Sequence, residues 1–583
     1  MSTRPIVAVV PFGARGTSPR AGAWARQIAR RLVDRFAEED AIDMRPVFLV
    51  AMPEASTEAG YLVFGSSPDT ALAAQYASSA GATHALTATY NEDGAARAIQ
   101  VDLVDAATRT ATRLDVQIAP DGLHRAEGQI VAWLLESLGV TPAAPYDAPA
   151  AANEAAYAAL LEGMDEEVDA TLLRQSDTQR ADQSMQAALD RYLDAARADP
   201  ASDLPEERIV VLAAESIARS DVTRELSALE ALITIRPRSW RAHYLLGQLR
   251  AEAGDTGGAI VAMEHAHSLQ PLPDADLVRL AELYANAAAP APALAHLRRI
   301  STGSASYGAA QELLAIISFQ RGDDVTGRAA YERAVATGTT SWELHASYGA
   351  AAHARGELNE AARHYRTALS ATAPAVVRLN LARVLLASGD REGTLRELDL
   401  VIATEGTGEV LGHAHRLRFG LQEPELEREL ERAGQAALAG ETATLDAAST
   451  VFDRAIAIDA DLWEAHFGRG IVARQRGDAK GAQAAFRRVL ELQPDQADAL
   501  HELGVALLMG NSTSEALTAL DRAAGLRPDD PAYVADAGFA HLRAGDLASA
   551  RTRLERATRL DANDPITRSY VGELERAEAA SRS

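Results

Sequence analysis

The chain has 583 residues, 47% of them hydrophobic and 24% charged, and no cysteine. That length exceeds what one compact core holds and predicts several domains or an elongated array, while the missing cysteine excludes disulfides, thiolate nucleophiles and cysteine-ligated zinc. A net charge of −25 repels phosphate backbones and anionic lipid, so neither a nucleic-acid partner nor membrane insertion is expected.

The opening MSTRPIVAVVPF carries an apolar run too short for a signal-peptide core, and no stretch of about 18 apolar residues follows. The location is therefore read as cytoplasmic. Residues 6–10 are β-branched and closed by Pro11, which predicts a buried strand. Gly13-x-x-Gly16 lacks the Gly-Lys-Ser/Thr end of a phosphate loop and is read as a flexible loop. Residues 23–36 place Trp24, Ile28, Leu32 and Phe36 on one helix face. A short apolar run at 47–50 and a helix over 71–79, ended by Gly81, come next. Residues 84–90 and 98–104 read as strands joined by a polar turn at 91–94. A strand over 112–118 and a helix over 123–138, with Ile130, Leu134 and Leu138 in step, complete the segment. The expected fold class is α+β, beginning with an α/β domain over residues 1–140. Three prolines in residues 141–151 predict a Pro/Ala linker.

From residue 152 the pattern is helical throughout. Gly470, Gly504, Gly538 and Gly572 recur every 34 residues. Ala482, Ala516 and Ala550 stand 12 further on, and Phe486, Leu520 and Leu554 stand 16 further on. Pro494 and Pro528 close two of these units, and Gly247 and Gly349 hold the glycine position in two earlier ones. Gly-Asp or Gly-Glu pairs at 254, 322, 356, 389, 477 and 545 mark a turn inside each unit, where the glycine ends one helix and the acid caps the next. The register breaks at 406–440. The expected division is a first repeat segment over 152–408, an irregular helical break over 409–428, and a second repeat segment over 429–583 that ends in a capping helix.

A 34-residue period with two small residues, a large apolar residue and a closing proline resembles the tetratricopeptide repeat. The resemblance implies about eleven units of two antiparallel helices, A and B, stacked as an all-α solenoid. The glycine at repeat position 8 is expected to face the alanine at position 20, and the large residue at position 24 to fill the gap toward the next unit. In the amino-terminal segment, IVAVVPF, GAWARQIARRLVDRF, ALAAQYASSAGATHALTATY and AIQVDLVDAATRTATRLDV resemble the amino-terminal domain of TolB. Similar domains precede tetratricopeptide arrays in many bacterial regulators.

The same resemblance implies that helices A line a concave face through positions 2, 5, 9, 12 and 13. In the last three units these positions include Phe467, Ile471, Val505, Leu508, Met509, Phe539 and Leu542, a stripe more apolar than a water-filled groove needs. The expected function is a non-enzymatic protein–protein interaction scaffold whose groove takes an apolar or helical segment of a partner. A second copy of the chain is the competing occupant, so a homo-oligomer is compatible with the pattern. The alternative is a sensory or regulatory subunit acting through a separate signalling or transcription protein. The family's carboxylate clamp of Lys, Asn and Arg is absent, because its positions hold Phe467, Ile471, His501 and Val505. The middle array is more polar, with Arg241, Tyr244, Gln248, Glu312 and Arg383. No catalytic, cofactor or metal set is expected. His265-x-His267 and His413-x-His415 point some 200° apart on a helix, and Asp102 and Asp105 lie on opposite faces of a strand.

Overall fold

The computed structural model describes residues 4–16, 18–37, 42–47, 50–51, 60–61, 67–141, 149–217, 222–440 and 442–582. The chain divides into two compact units, Met1–Arg299 and Ile300–Ser583.

The first unit opens with β1 (Ile6–Val9), β2 (Gly13–Arg15), α1 (Pro19–Ala37), β3 (Asp43–Pro46), β4 (Val50–Ala51), β5 (Gly60–Tyr61), α2 (Thr70–Ser79), β6 (His84–Asp93), β7 (Ala96–Asp105), β8 (Ala111–Ile118) and α3 (Leu123–Ser137). The main sheet runs β3-β1-β6-β7-β8. β1 is parallel to β3 and β6, and β7 is antiparallel to both its neighbours. Alternation along β1 sorts its side chains between two cores. Val7 and Val9 join Trp24, Ile28, Leu32 and Phe36 of α1 and Ile130 and Leu134 of α3. Ala8 and Val10 join Ala73, Ala74 and Ala77 of α2.

Two local expectations are corrected here. The Gly13–Gly16 segment is not a loop: Gly13, Ala14 and Arg15 form β2 and pair in parallel with Thr89, Tyr90 and Asn91. The hairpin turn is also tighter than the run of polar residues suggests. Asp93 pairs with Ala96, leaving Gly94 and Ala95 as a two-residue loop, and Gly94 takes φ 59°. The apolar run at 47–50 starts just after β3 and ends in β4 at Val50, with residues 48 and 49 outside the described residues, as are residues 142–148 of the expected linker.

The helices of the first unit are α4 (Glu154–Leu173), α5 (Thr178–Ala198), α6 (Leu204–Ser216), α7 (Thr223–Ile235), α8 (Trp240–Glu252), α9 (Thr256–Leu269), α10 (Asp274–Asn286) and α11 (Pro290–Leu297). α4 packs directly on α1, and Ala156, Tyr157 and Leu161 belong to the same buried cluster as Trp24 and Ile28. The Tyr157 hydroxyl donates to Glu127 at 2.8 Å. Glu127 is 0% exposed and also faces Arg31 at 3.6 Å and Arg35 at 3.2 Å. Around this core, Arg26 donates twice to Asp165, at 3.0 and 2.6 Å, and Arg97 donates to both oxygens of Glu154.

The second unit is helical: α12 (Tyr307–Gln320), α13 (Asp324–Ala336), α14 (Trp342–Ala354), α15 (Leu358–Leu369), α16 (Ala375–Ala387), α17 (Arg391–Thr404), α18 (Glu409–Gln422), α19 (Pro424–Ala439), α20 (Thr442–Ile458), α21 (Trp463–Gln475), α22 (Ala479–Leu492), α23 (Ala497–Met509), α24 (Thr513–Leu526), α25 (Pro531–Ala544), α26 (Leu547–Leu560) and α27 (Pro565–Arg582). Most helices pair with the next in sequence, as α21 with α22 and α23 with α24. α18 is the exception. It packs on α17, while α19 pairs with α20. The loop before α18 is tied far along the chain: Gly408 N–H donates to the Leu492 carbonyl at 2.9 Å, and Gln493 Nε2 donates to the Gly408 carbonyl at 2.7 Å.

The turns within pairs follow the Gly-acid reading. The glycines at 254, 322, 356, 389, 477 and 545 all have φ between 75° and 84°. Asp255, Asp323, Asp390, Asp478 and Asp546 each accept a backbone N–H of the following helix. Glu357 makes no such cap; its longer side chain pairs with Arg355 at 2.8 Å and Arg328 at 2.6 Å instead.

The packing of the repeat glycines adds a partner to the expected one. What a Cβ at position 8 would meet first is the position-24 side chain of its own unit, and at Gly247 the carbonyl of the position-20 Ala259 stands at 3.2 Å as well. A Cβ on Gly470 would meet Phe486 Cε1 at 2.6 Å, one on Gly538 would meet Leu554 Cγ at 2.9 Å, and one on Gly504 would overlap Leu520. Gly349 and Gly247 stand likewise against Tyr365 and Met263. The reason is side-chain direction: a long residue on helix B leans back along its helix over the crossing point. Ala482, Ala516 and Ala550 are fully buried beside that contact. Gly572 on α27 has nothing within 4 Å of an added Cβ, so there the glycine keeps the register without a packing role.

Candidate functional site

The stripe read from the sequence lies on α21, α23 and α25. The structure divides it. Phe467, Ile471 and Leu508 share one core cluster that includes Phe452 and Phe486. Ile471 is only 1% exposed, and the Phe467 ring meets Phe486 edge-on at 5.6 Å. Val505 is half-buried and Met509 is 44% exposed. Leu542 packs with the C-terminal cluster of Val534, Leu554 and Leu574. Phe539 stacks on Tyr570 of α27 at 4.3 Å, so the capping helix covers much of it. Met509 thus faces free space, Phe467 and Phe539 are half-buried, and Ile471 is buried.

A cavity of about 390 Å³ opens beside Phe467. Its walls come from Leu430, Gly434 and Leu438 of α19, Phe452 of α20, and Trp463, Glu464, Phe467, Gly468 and Ile471 of α21, with Arg416, Glu431, Gln496 and Asp498 as the further polar lining. Leu438 is 66% exposed. Trp463 and Phe467, one turn apart, meet at 6.4 Å and 75°. Gly468 keeps the wall thin, since a Cβ there would strike the Phe452 ring.

Four carboxylates stand on or near this face, and they differ in how well they are satisfied. Asp498 accepts the Tyr533 hydroxyl, Asp536 accepts from His501 at 2.7 Å and from Tyr570 at 2.9 Å, and Glu502 pairs with Arg474 at 2.6 Å. Burial works most strongly against a charge on His501, but the Asp536 hydrogen bond together with the negative charges of Asp536, Glu502 and Asp530 lifts the imidazole above its usual value. Burial raises Glu502, with Arg474 opposing. Glu464 is the one of the four without a close side-chain partner; its carboxyl takes a hydrogen bond from its own backbone N–H. Its Oε2 is buried with no hydrogen-bond partner, and burial pushes its carboxyl up to about 7.

Sequence reasoning passed over Glu464, Trp463 and the α19 wall. Glu464 holds position 2 of its repeat, one of the groove positions, but a search for apolar residues discards it. The histidine pairs separate as expected. His265 lies against His243 at 4.1 Å while His267 faces His296 at 5.7 Å. His415 pairs with Asp459 at 2.8 Å while His413 lies toward Glu409. Among the described residues, no group of three or more His, Asp or Glu side chains is placed to hold a metal ion. None of the described helices is long and apolar enough to cross a membrane.

Comparison with known proteins gives one family match and a set of distant folds. No curated protein matches the chain as a relative. Among solved structures, the P58(IPK) TPR domain is 13% identical, with 65% of this chain and 99% of that one covered and a TM-score of 0.23. MamA 41-end from Desulfovibrio magneticus RS-1 is 20% identical, covering 33% and 97%, TM-score 0.21. YrrB, described as a TPR protein with an unusual peptide-binding site, is 15% identical, covering 35% and 96%, TM-score 0.20. The tetratricopeptide repeat family pattern matches residues 467–531, the segment that holds Phe467, Val505, Leu508 and Met509. The tetratricopeptide repeat is thus shown for residues 467–531, and the same glycine register and Gly-acid turns continue on either side of that segment.

Proposed function

We propose that the chain is a non-enzymatic scaffold that binds a segment of a partner protein along the helix-A face of α19, α21 and α23. The observation that carries this reading is the apolar surface left open there: Phe467, Val505, Leu508 and Met509, continued by Leu438 around a cavity of about 390 Å³. Exposed apolar surface of this kind marks a binding face. Two further helices of the same fold, or an apolar strand or helix of a partner, would cover it. Ile471 forms the floor, while Phe539 and Leu542 extend the face toward the capping helix. On this reading the protein works in the cytoplasm, and the amino-terminal domain, similar to that of TolB, is a second docking module.

A site-specific photo-cross-linker tests this. Placed at Met509 in cells, it should yield an adduct with a distinct polypeptide; placed at Val325, 84% exposed on α13, it should yield none. Adducts of the chain with itself alone, or equal labelling from both positions, would reject the reading.

The regulatory alternative draws on a different feature. α4 is held to the sheet domain by the Arg26–Asp165 and Arg97–Glu154 pairs and by a shared core. A signal received by the sheet domain would therefore act on the first helices directly.

A further inference from the structure

We infer that the cavity beside Phe467 is a subsite for a basic side chain of the bound segment, an arginine above all, with its charge at Glu464 and its stem against Trp463 and Phe467. This rests on the reading of the helix-A face as the binding face and names what that face selects.

The argument begins with an unmet need. A buried carboxylate oxygen without a donor is unfavourable, and a ligand that supplies the donor gains what the free protein lacks. Glu464 Oε2 is such an oxygen, and its side chain lines the cavity. The groups around it fill the role only in part: its own backbone N–H bonds to the carboxyl, and Arg416 and His415 favour the charge from further off, but burial outweighs them. Arg416 is shared between Glu427 and Glu431, at 3.4 Å from each. His415 is held by Asp459 at 2.8 Å. Asp459 and Asp498 bring further negative charge, and Asp498 already accepts the Tyr533 hydroxyl. The cavity lining therefore carries Glu431, Glu464 and Asp498 against the guanidinium of Arg416, with Arg527 standing 3.4 Å from Asp498 outside the lining.

The walls complete the selection. An anion meets three carboxylates. A purely apolar side chain would pack on Trp463, Phe467 and Leu430 but leave Glu464 unpaired. An arginine satisfies both, because its stem covers apolar surface and its planar head pairs with a carboxylate and lies on aromatic faces.

Binding of a cation to Glu464 has a signature that apolar docking lacks. Burial holds the free carboxyl near neutral pH, so part of it is protonated before the ligand arrives. An incoming guanidinium requires the ionised form and expels that proton. Affinity should then rise between pH 6 and pH 8, with proton uptake by the buffer. His501 also titrates on this face, against Asp536, but it does not line the cavity.

The test uses the full chain and two peptides, acetyl-Leu-Phe-Arg-Leu-amide and its neutral citrulline counterpart, titrated calorimetrically at both pH values in two buffers of different ionisation heat. The arginine peptide should bind about tenfold tighter than the citrulline one at pH 8, lose most of that margin at pH 6, and release protons. In Glu464→Gln, which keeps the shape of the side chain, both peptides should bind within about twofold of each other with no proton release. Equal affinities in the native chain, no binding of either peptide, or a preference that survives Glu464→Gln would each overturn the subsite. None of those results touches the cross-link at Met509, so the subsite and the binding face fail separately.

Discussion

Gly470 and Phe486 share one space between α21 and α22: a Cβ on the glycine would lie 2.6 Å from the ring. The two positions are therefore coupled. Gly470→Ala should lower stability by about 1–3 kcal/mol through overpacking. Phe486→Ala alone should cost about 3–5 kcal/mol through its cavity. Combined, they should lose clearly less than the sum, because the new methyl enters the space the ring leaves. Chemical denaturation of the four proteins completes the cycle, and strict additivity would contradict the shared space.

Glu127 ties the sheet domain to the helices. It lies fully buried between Arg31, Arg35 and the Tyr157 hydroxyl, and burial, then the Glu127 charge, raises Tyr157 well above the usual phenol value. Glu127→Ala removes the carboxylate that two guanidiniums face and should cost about 3–5 kcal/mol. Tyr157→Phe removes one donor and should cost about 1–3 kcal/mol. Limited proteolysis should show β1–α3 and α4 becoming labile together. Cleavage confined to the sheet domain would mean the two are not one cooperative body.

Glu464 predicts a pH dependence of stability with a definite sign. Its folded value is raised to about 7 from the ordinary carboxylate value of 4.5. The unfolded chain thus ionises first, and this residue's contribution to stability is full below the unfolded value and falls as pH rises to about 7. Glu464→Gln removes that loss. Its advantage over the native chain should grow by about 1 kcal/mol between pH 6 and pH 8, read from thermal or urea unfolding. An advantage equal at both pH values would place the carboxylate in water.

Two turns depart from the glycine rule and should respond to its restoration. Ala288 has φ 54° and Asn511 has φ 59°, at bends where neighbouring pairs place glycine. A left-handed alanine is strained by about 1–2 kcal/mol, an asparagine by less. Ala288→Gly should therefore stabilise by a few tenths to about 1 kcal/mol after the unfolded-chain entropy is set against it, and Asn511→Gly by less. A loss of melting temperature in Ala288→Gly would contradict this.

Local chemistry was legible in the sequence, and long-range direction was not. Gly477-Asp478 could be read as a turn and cap because a left-handed glycine and an aspartate reaching Gly481 N–H need only their own neighbours. The 34-residue glycine register likewise located the helix pairs. The sequence gives no such access to which partner Gly470 meets, since that depends on how the Phe486 side chain leans across a crossing. β2 exists because β6 offers it an open edge some 76 residues away, and Phe539 is covered because α27 returns over it. Glu464 was passed over for a different reason: a polar residue inside an apolar stripe is noise to a hydrophobicity pattern, yet it is the group that gives the cavity a chemical preference.

The bond from the loop at Gly408 to Leu492 and Gln493 changes how the second unit should respond to force. Helix pairs that touch only their neighbours unzip one after another, each at a similar low tension. Pulled from its C-terminus, α27 and the pairs α25–α26 and α23–α24 should peel away in small steps. The pull then reaches a segment whose ends are joined across 85 residues, and α18 to α22 must yield as one block. A single-molecule trace should show that block as one longer extension at a higher force, a mechanical stop built from two hydrogen bonds across one loop.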